Sequence, residues 1–169
     1  MDWSAPWATS AHGWQGVRQR LVEKIGRYVE LVSGSGLKLA FEILLFSIIG
    51  GLKRFMTLCD EIGSPALGLN LDTGHAWACR ELAPALPFEL RGRIFGLHLG
   101  DNLSTENVKR PPGKGSIPWK PLVHNLLSAG YQGSFNIDIG CPADEVEEQY
   151  RMASEYLESL GILPKGERA

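Results

Sequence analysis

The sequence predicts an α/β fold in which parallel strands are joined by helices, and two observations support this. Segments with apolar residues at helical spacing alternate with short strand-like segments along the chain of 169 residues. Each strand-like segment also has one apolar face, as expected where helices cover one side of a sheet. The alternation predicts crossover connections, in either an open sheet or a β/α barrel.

Five segments have the apolar spacing of helices. They are 17–32, 52–62, a weaker segment within 76–90 that Pro84 and Pro87 interrupt, about 119–129, and 146–160. The first segment ends before "SGSG" and the second before "GSP", where glycine permits the chain to leave a helix. The order along the chain is therefore α-β-α-β-α-β-α-β-α.

Four segments between these helices are predicted strands: "LKLAFE", "ALGLNLD", "RIFGLHL" and "GSFNIDI". Because successive side chains of a strand point to opposite faces, each segment has one apolar face. The residues predicted to form these faces are Leu37, Leu39, Phe41, Leu67, Leu69, Leu71, Phe95, Leu97, Leu99, Phe135, Ile137 and Ile139. We expect these faces to pack under the helices.

The opposite faces of the strands end in four polar residues: Glu42, Asp72, His98 and Asp138. The carboxyl edge of a parallel sheet is where α/β folds place their active sites. Taken singly, such an Asp is more often a helix N-cap, and such a His a packing residue. Taken together, three carboxylates and an imidazole predict one divalent ion, Mn²⁺, Mg²⁺ or Zn²⁺, because unpaired buried charge is costly.

Composition narrows the class of protein. A hydrophobic content of 44% suffices for one packed core, so we expect a single domain over residues 1–169. A net charge of −2 gives no electrostatic reason to expect nucleic acid or a membrane surface as partner, and a small-molecule sugar fits better. Cys59, Cys79 and Cys141 lie outside any C-x-x-C pattern, and the first residues lack the order of a signal peptide. These features predict a cytoplasmic protein.

Five motifs together resemble the xylose-isomerase-like TIM barrels, the superfamily of sugar phosphate isomerases and epimerases and of endonuclease IV. They are "LAFE", "GLNLDTGHA", "GLHLGDN", "PPGKGSIPW" and "GSFNIDI", and the resemblance extends from about Trp14 to about Leu160. It implies the C-terminal half of a (β/α)₈ barrel, strands five to eight, since a complete barrel needs about 250 residues. A homo-oligomer or a missing N-terminal half is therefore expected to cover the open edges.

The resemblance also implies a site. The family's metal ligands correspond to Glu42, Asp72, His98 and Asp138, of which Asp138 replaces the family's Glu. Glu42 and Asp138 are also the implied catalytic residues, which exchange a proton with a keto sugar or related polyol through an enediolate. Because Asp is one methylene shorter, the Asp138 carboxylate is expected about 1.5 Å further from the reacting carbon.

Two further residues are implied to bind substrate. His75 matches a residue that contacts substrate oxygens in sugar epimerases and ligates a metal in endonuclease IV. Lys114, between two glycines, is expected to meet a phosphate or hydroxyl, although a solvated loop lysine is the commoner interpretation. Asp101 and Asn102 are expected to form the loop after His98 rather than to act in catalysis.

Two alternatives stay open. A non-catalytic or degenerate half-barrel would act only with a partner chain or merely bind a metal. An endonuclease IV-like phosphodiesterase is disfavoured, because Asn107 and Lys109 stand where that enzyme has the Asp-x-His of its third metal. The apolar stretch "ILLFSIIGG" after Glu42 has no functional account, since the family usually continues there with a polar residue.

Overall fold

The computed structural model describes residues 10–90, 92–103 and 106–162. The expectation that the chain begins without a signal peptide concerns its first residues. Of these, residues 1–9 lie outside the described residues. Four parallel strands form one sheet in chain order: β1 Leu39–Phe41, β2 Leu67–Asp72, β3 Ile94–Leu99 and β4 Asn136–Ile137. The predicted α/β class and the parallel connections are confirmed.

The helices in the described part of the chain follow the predicted order. They are α1 Ala11–Ser33, α2 Leu52–Ile62, α3 Thr73–Ala78, α4 Leu86–Glu89, α5 Trp119–Ser128 and α6 Val146–Ser159, with a 3₁₀ turn at Ala83–Ala85. The helix α1 begins earlier than its apolar pattern suggests, because the Oγ of Ser10 accepts a hydrogen bond of 2.9 Å from the Gly13 N–H. The weak third segment is divided into α3, the 3₁₀ turn and α4, as its prolines predict.

The apolar face of the sheet is buried under helices. Leu67, Leu69 and Leu71 of β2 are each no more than 2% exposed. The fully buried side chains that surround this face include Phe55, Leu58, Leu122, Leu126 and Leu157, contributed by α2, α5 and α6. Burial of a leucine side chain stabilises the fold by about 2 kcal/mol. The core therefore lies on one side of the sheet and leaves the opposite face for the polar residues.

Two predicted positions on the apolar faces are wrong: Leu37 precedes β1 and is 62% exposed, and Phe95 lies on the other side of the sheet. Phe95 was expected beside Leu97 and Leu99 in the core, but its ring lies on the opposite face. A Cβ built on Gly68 would stand 2.4 Å from that ring. The ammonium of Lys38 lies 4.6 Å from the ring centroid. Phe95 therefore belongs to the interior face of the half-barrel, with the polar strand residues.

A register shift between β2 and β3 explains this position. Leu69 pairs with Ile94, whereas the next residue of β2, Asn70, pairs with Gly96. Phe95 is thus an extra residue on β3, as in a β-bulge, and the side-chain alternation is reset after it. The pattern of alternating residues cannot reveal such a shift, because it depends on the neighbouring strand.

The sheet ends at β1 and β4, which each have one neighbouring strand within the described ranges. These edges match the expected half-barrel, in which strands five and eight are left for a partner. None of the described helices is both long enough and apolar enough to cross a membrane.

Candidate metal centre

Strand register brings the predicted ligands to one edge of the sheet. Asp72, the last residue of β2, pairs directly with His98 of β3. Glu42 follows the last residue of β1, and Asp138 follows β4. The Asp138 N–H donates a hydrogen bond of 3.0 Å to the carbonyl oxygen of Leu99, which ties this residue to the end of β3. All four side chains therefore lie at the carboxyl edge.

The ligand atoms converge on a small volume. The Nδ1 of His98 lies 3.5 Å from Oε2 of Glu42 and 3.6 Å from Oδ2 of Asp138. One ligand atom each from Asp72, His98 and Asp138 lies within 4.8 Å of the other two. Glu42, Asp72 and His75 form a second group that meets the same limit. Asp72 belongs to both groups and is thus central to the site.

Two buried atoms in this cluster lack hydrogen-bond partners among the described residues. The Asp72 side chain is 2% exposed, and its Oδ2 receives no hydrogen bond. The Nδ1 of His98 is likewise buried without a hydrogen-bond partner. Buried polar atoms are normally satisfied, so these two atoms mark a place for a ligand. Carboxylate oxygens and an imidazole nitrogen are a donor set that fits a divalent ion such as Mn²⁺ or Zn²⁺.

Asp72 also has a structural role, as the simpler interpretation of this residue predicts. Its Oδ1 accepts a hydrogen bond of 2.9 Å from the His75 N–H and caps α3. Thr73 connects the start of α3 to the loop after β3, since its hydroxyl donates a hydrogen bond of 2.7 Å to the carbonyl oxygen of Gly100. The two oxygens of Asp72 thus have different contacts: one caps the helix that carries His75, and the other faces the cluster.

Lys109 belongs to the cluster, although the sequence singled it out only as a departure from the endonuclease IV pattern. Its ammonium donates a hydrogen bond to Oδ2 of Asp138 and lies 3.6 Å from Oδ2 of Asp72. Burial works to lower the pKa of Lys109, but the hydrogen bond to Asp138 and the negative charges of Asp72, Asp138 and Glu42 together raise it above its usual value. Lys109 is therefore a cation held among the predicted metal ligands.

His75 connects the cluster with the apolar stretch that follows Glu42. Its Nδ1 accepts a weak hydrogen bond of 3.4 Å from the Leu45 N–H. The same stretch forms one wall of a cavity of about 790 Å³, which Trp14, Arg54 and Arg80 also line. An apolar stretch thus lines this cavity where a polar loop was expected, and none of the predicted site residues is part of the cavity lining.

Lys114 is not brought into the cluster. It is exposed, and its N–H donates a hydrogen bond of 3.0 Å to the carbonyl oxygen of Pro111. Within the described ranges, its side chain has no hydrogen bond or ion pair. A role for Lys114 in substrate binding stays a prediction.

The loop after β3 is built on two buried residues, Asp101 and Asn102, which have the loop-forming contacts expected of them. Both are 0% exposed. Asp101 accepts hydrogen bonds from the N–H groups of Gly113 and Ile117 at 3.0 and 3.1 Å and from the Trp119 indole at 2.7 Å. It thereby holds the "PPGKGSIPW" segment, which carries Lys114, against the end of the sheet.

Asn102 fixes the part of the loop that carries Lys109. Its amide Nδ2 donates to the carbonyl oxygen of Gly74 at 2.9 Å, and its Oδ1 accepts from the Val108 and Lys109 N–H groups at 2.9 and 3.3 Å. No periodic signal in the sequence reports these contacts, because the loop has neither helical nor strand alternation. The one available signal was the correspondence of Lys109 with a metal-binding position of endonuclease IV.

These features define a class of protein: half of a parallel β/α barrel with a candidate metal centre at its carboxyl edge. The profile of xylose isomerase-like TIM barrels matches residues 5–160, and the chain belongs to this family. The resemblance drawn from the five motifs is confirmed.

Curated and solved relatives agree with this assignment. The D-psicose 3-epimerase of Enterocloster bolteae is 31% identical over 124 residues, which make up 71% of this chain and 39% of that enzyme. A solved D-psicose 3-epimerase has a TM-score of 0.76 at 18% identity, over 96% of this chain and 61% of that one. The 3-keto-D-glucoside 4-epimerase from E. coli has a TM-score of 0.75 at 19% identity, over 94% and 60% of the two chains.

This chain matches only part of the length of these relatives. It spans about two fifths of the length of the curated epimerase and about three fifths of the solved ones. At identities below 20%, the likeness to the two solved epimerases shows the fold.

Proposed function

We propose that this chain is part of a metal-dependent sugar isomerase or epimerase that acts on a ketose or related polyol by proton transfer through an enediolate. The observation that carries the proposal is that the Oδ2 of Asp72 and the Nδ1 of His98, which have no hydrogen-bond partner among the described residues, converge with two further carboxylates at the carboxyl edge. The names of the relatives support the sugar substrate and the epimerase reaction. The cytoplasmic location stays part of the proposal.

The proposed roles follow from position. Glu42, Asp72, His98 and Asp138 would hold one divalent ion, Mn²⁺, Mg²⁺ or Zn²⁺. When bound, the ion would supply positive charge that stabilises the enediolate. Glu42 and Asp138 follow β1 and β4, on either side of the two inner strands, so each is suited to one face of a bound sugar. One would remove the proton from carbon and the other would return it.

Substrate contacts would come from the loops. The imidazole of His75 lies beside the Glu42–Asp72 pair and can donate a hydrogen bond to a sugar hydroxyl from its other nitrogen. Lys114 would require movement of its loop side chain to reach a phosphate.

A second candidate is a half-barrel that binds metal but turns over no sugar without a partner chain. The observation that favours it is the pair of sheet edges, β1 and β4, which lack a second neighbour in the described part of the chain. The two candidates share the metal centre and differ in whether this chain alone supports proton transfer.

Deuterium wash-in tests the proposal. The full chain, loaded with Mn²⁺, is incubated in heavy water with ketohexoses such as D-psicose and D-fructose, and isotope incorporation is followed by NMR. We expect exchange of the proton at a carbon beside the carbonyl, and its loss after removal of the metal with a chelator. Metal binding without exchange in any ketose would favour the non-catalytic half-barrel, and absence of metal binding would overturn both candidates.

A further inference from the structure

The position of Lys109 raises a question that the proposed metal site does not answer. Its ammonium contacts Asp138 and lies 3.6 Å from Oδ2 of Asp72, an atom without a hydrogen-bond partner among the described residues. A divalent ion bound by these two carboxylates would lie within a few ångströms of that ammonium. Two cations at such a separation repel each other. The ammonium and the ion therefore compete for the same oxygens.

The backbone of Lys109 is held in place from both sides. Its N–H donates to the buried Oδ1 of Asn102 at 3.3 Å, and its carbonyl oxygen accepts from the Gly140 N–H at 2.8 Å. The adjacent Arg110 pairs with Asp101 in an isolated antiparallel bridge. These contacts come from two separate places in the sequence, residues 101–102 and Gly140. The loop thus delivers the Lys109 side chain to the cluster rather than leaving it in solvent.

The conformation of Lys109 supports the same point. Its φ is +52°, a left-handed value that is uncommon for a residue with a side chain. Such conformations persist where the surrounding structure enforces them, and they concentrate at functional sites. The Lys109 side chain is also 31% exposed, and its flexible four-carbon stem gives the ammonium a path to solvent.

We propose that Lys109 is an internal competitor for the metal: its ammonium neutralises Asp72 and Asp138 in the metal-free protein, and a divalent ion binds by displacing it. This inference rests on the proposed metal site. Displacement moves the Lys109 ammonium away from the two carboxylates and toward solvent, since part of its side chain is already exposed.

Lys109→Met tests the proposal, with Lys114→Met as the matched control in the same loop. The affinity of each full-length variant for Mn²⁺ alone is measured by competition with a fluorescent chelator, and the unfolding temperature is measured without metal. We expect Lys109→Met to bind Mn²⁺ about tenfold more tightly than the parent, since one neighbouring charge contributes roughly an order of magnitude in affinity. Its metal-free unfolding temperature should fall, while Lys114→Met matches the parent in both measurements.

A second measurement uses the unchanged parent chain. Acetic anhydride labels exposed amines, and mass spectrometry reads the labelling of each lysine with and without Mn²⁺. Displacement predicts that labelling of Lys109 rises on metal binding while that of Lys114 stays constant. Equal Mn²⁺ affinity of parent and Lys109→Met, or constant labelling of Lys109 in the metal-bound parent, would overturn the competition alone. Absence of Mn²⁺ binding in every variant would overturn the metal site and the competition with it.

Discussion

The Asp72 carboxylate caps a helix with one oxygen and faces the ligand cluster with the other. The capping oxygen accepts a hydrogen bond of 2.9 Å from the His75 N–H. The helix cap therefore orients the carboxylate, because one lone-pair direction is already occupied. It also fixes His75 on the first turn of α3, beside the same oxygens. A residue that would be assigned to capping alone is thus placed to bind metal as well.

Two substitutions separate these functions. Asp72→Asn keeps an N-cap side chain, so we expect a free energy of unfolding near that of the parent. Its metal affinity should fall by about tenfold to a hundredfold. Asp72→Ala removes the cap as well and should cost about 1 kcal/mol in the free energy of unfolding. Elemental analysis and denaturant unfolding provide the two measurements. Equal metal content in the parent and Asp72→Ala would exclude Asp72 from the metal site.

Chain association is the second prediction. The edges of β1 and β4 expose hydrogen-bonding groups, and the interior face carries no opposing layer within the described residues. We expect the chain to dimerise, to aggregate, or to require another half-barrel. Analytical ultracentrifugation over a wide concentration range checks this, and a stable monomer throughout would contradict it.

The third prediction concerns Asp138. Asp138→Glu should restore the reach of the family's longer carboxylate and raise the rate of proton exchange, whereas Asp138→Asn should abolish exchange and leave the other three proposed metal ligands in place. Deuterium wash-in into ketoses measures both variants. Asp144→Asn, on an exposed loop, is the control for the loss of one negative charge. Exchange at the parental rate in Asp138→Asn would remove this residue from the mechanism.

Loop stability is the fourth prediction. Asp101 is fully buried and accepts hydrogen bonds from both backbone and indole donors, so its removal leaves several buried donors unpaired. Asp101→Ala should reduce the free energy of unfolding by about 3 kcal/mol. The exposed Asp144→Ala should change it by less than about 0.5 kcal/mol. Chemical denaturation of the two variants provides the comparison, and similar values would show that Asp101 does not hold the loop.

Local patterns predicted the elements well because these patterns report burial within one helix or strand. The apolar spacing of α2 gave the bounds Leu52–Ile62, and its end coincides with Gly63, whose φ of +69° permits the chain to turn. The strand predicted over 133–139 is shorter in the structure, at Asn136–Ile137. At this edge of the sheet, pairing on one side alone limits the length of the ladder.

By itself, the sequence determined the alternation of helices and parallel strands and the placement of Asp72 and His98 at strand ends, because both follow from periodicity along a single segment. The tertiary structure alone decided that Phe95 lies on the interior face and that the Lys109 ammonium lies between Asp72 and Asp138. The first depends on the register of a neighbouring strand. The second depends on two hydrogen bonds of the Lys109 backbone, whose N–H donates to Asn102 and whose carbonyl oxygen accepts from the Gly140 N–H. These residues are brought together only when the chain folds.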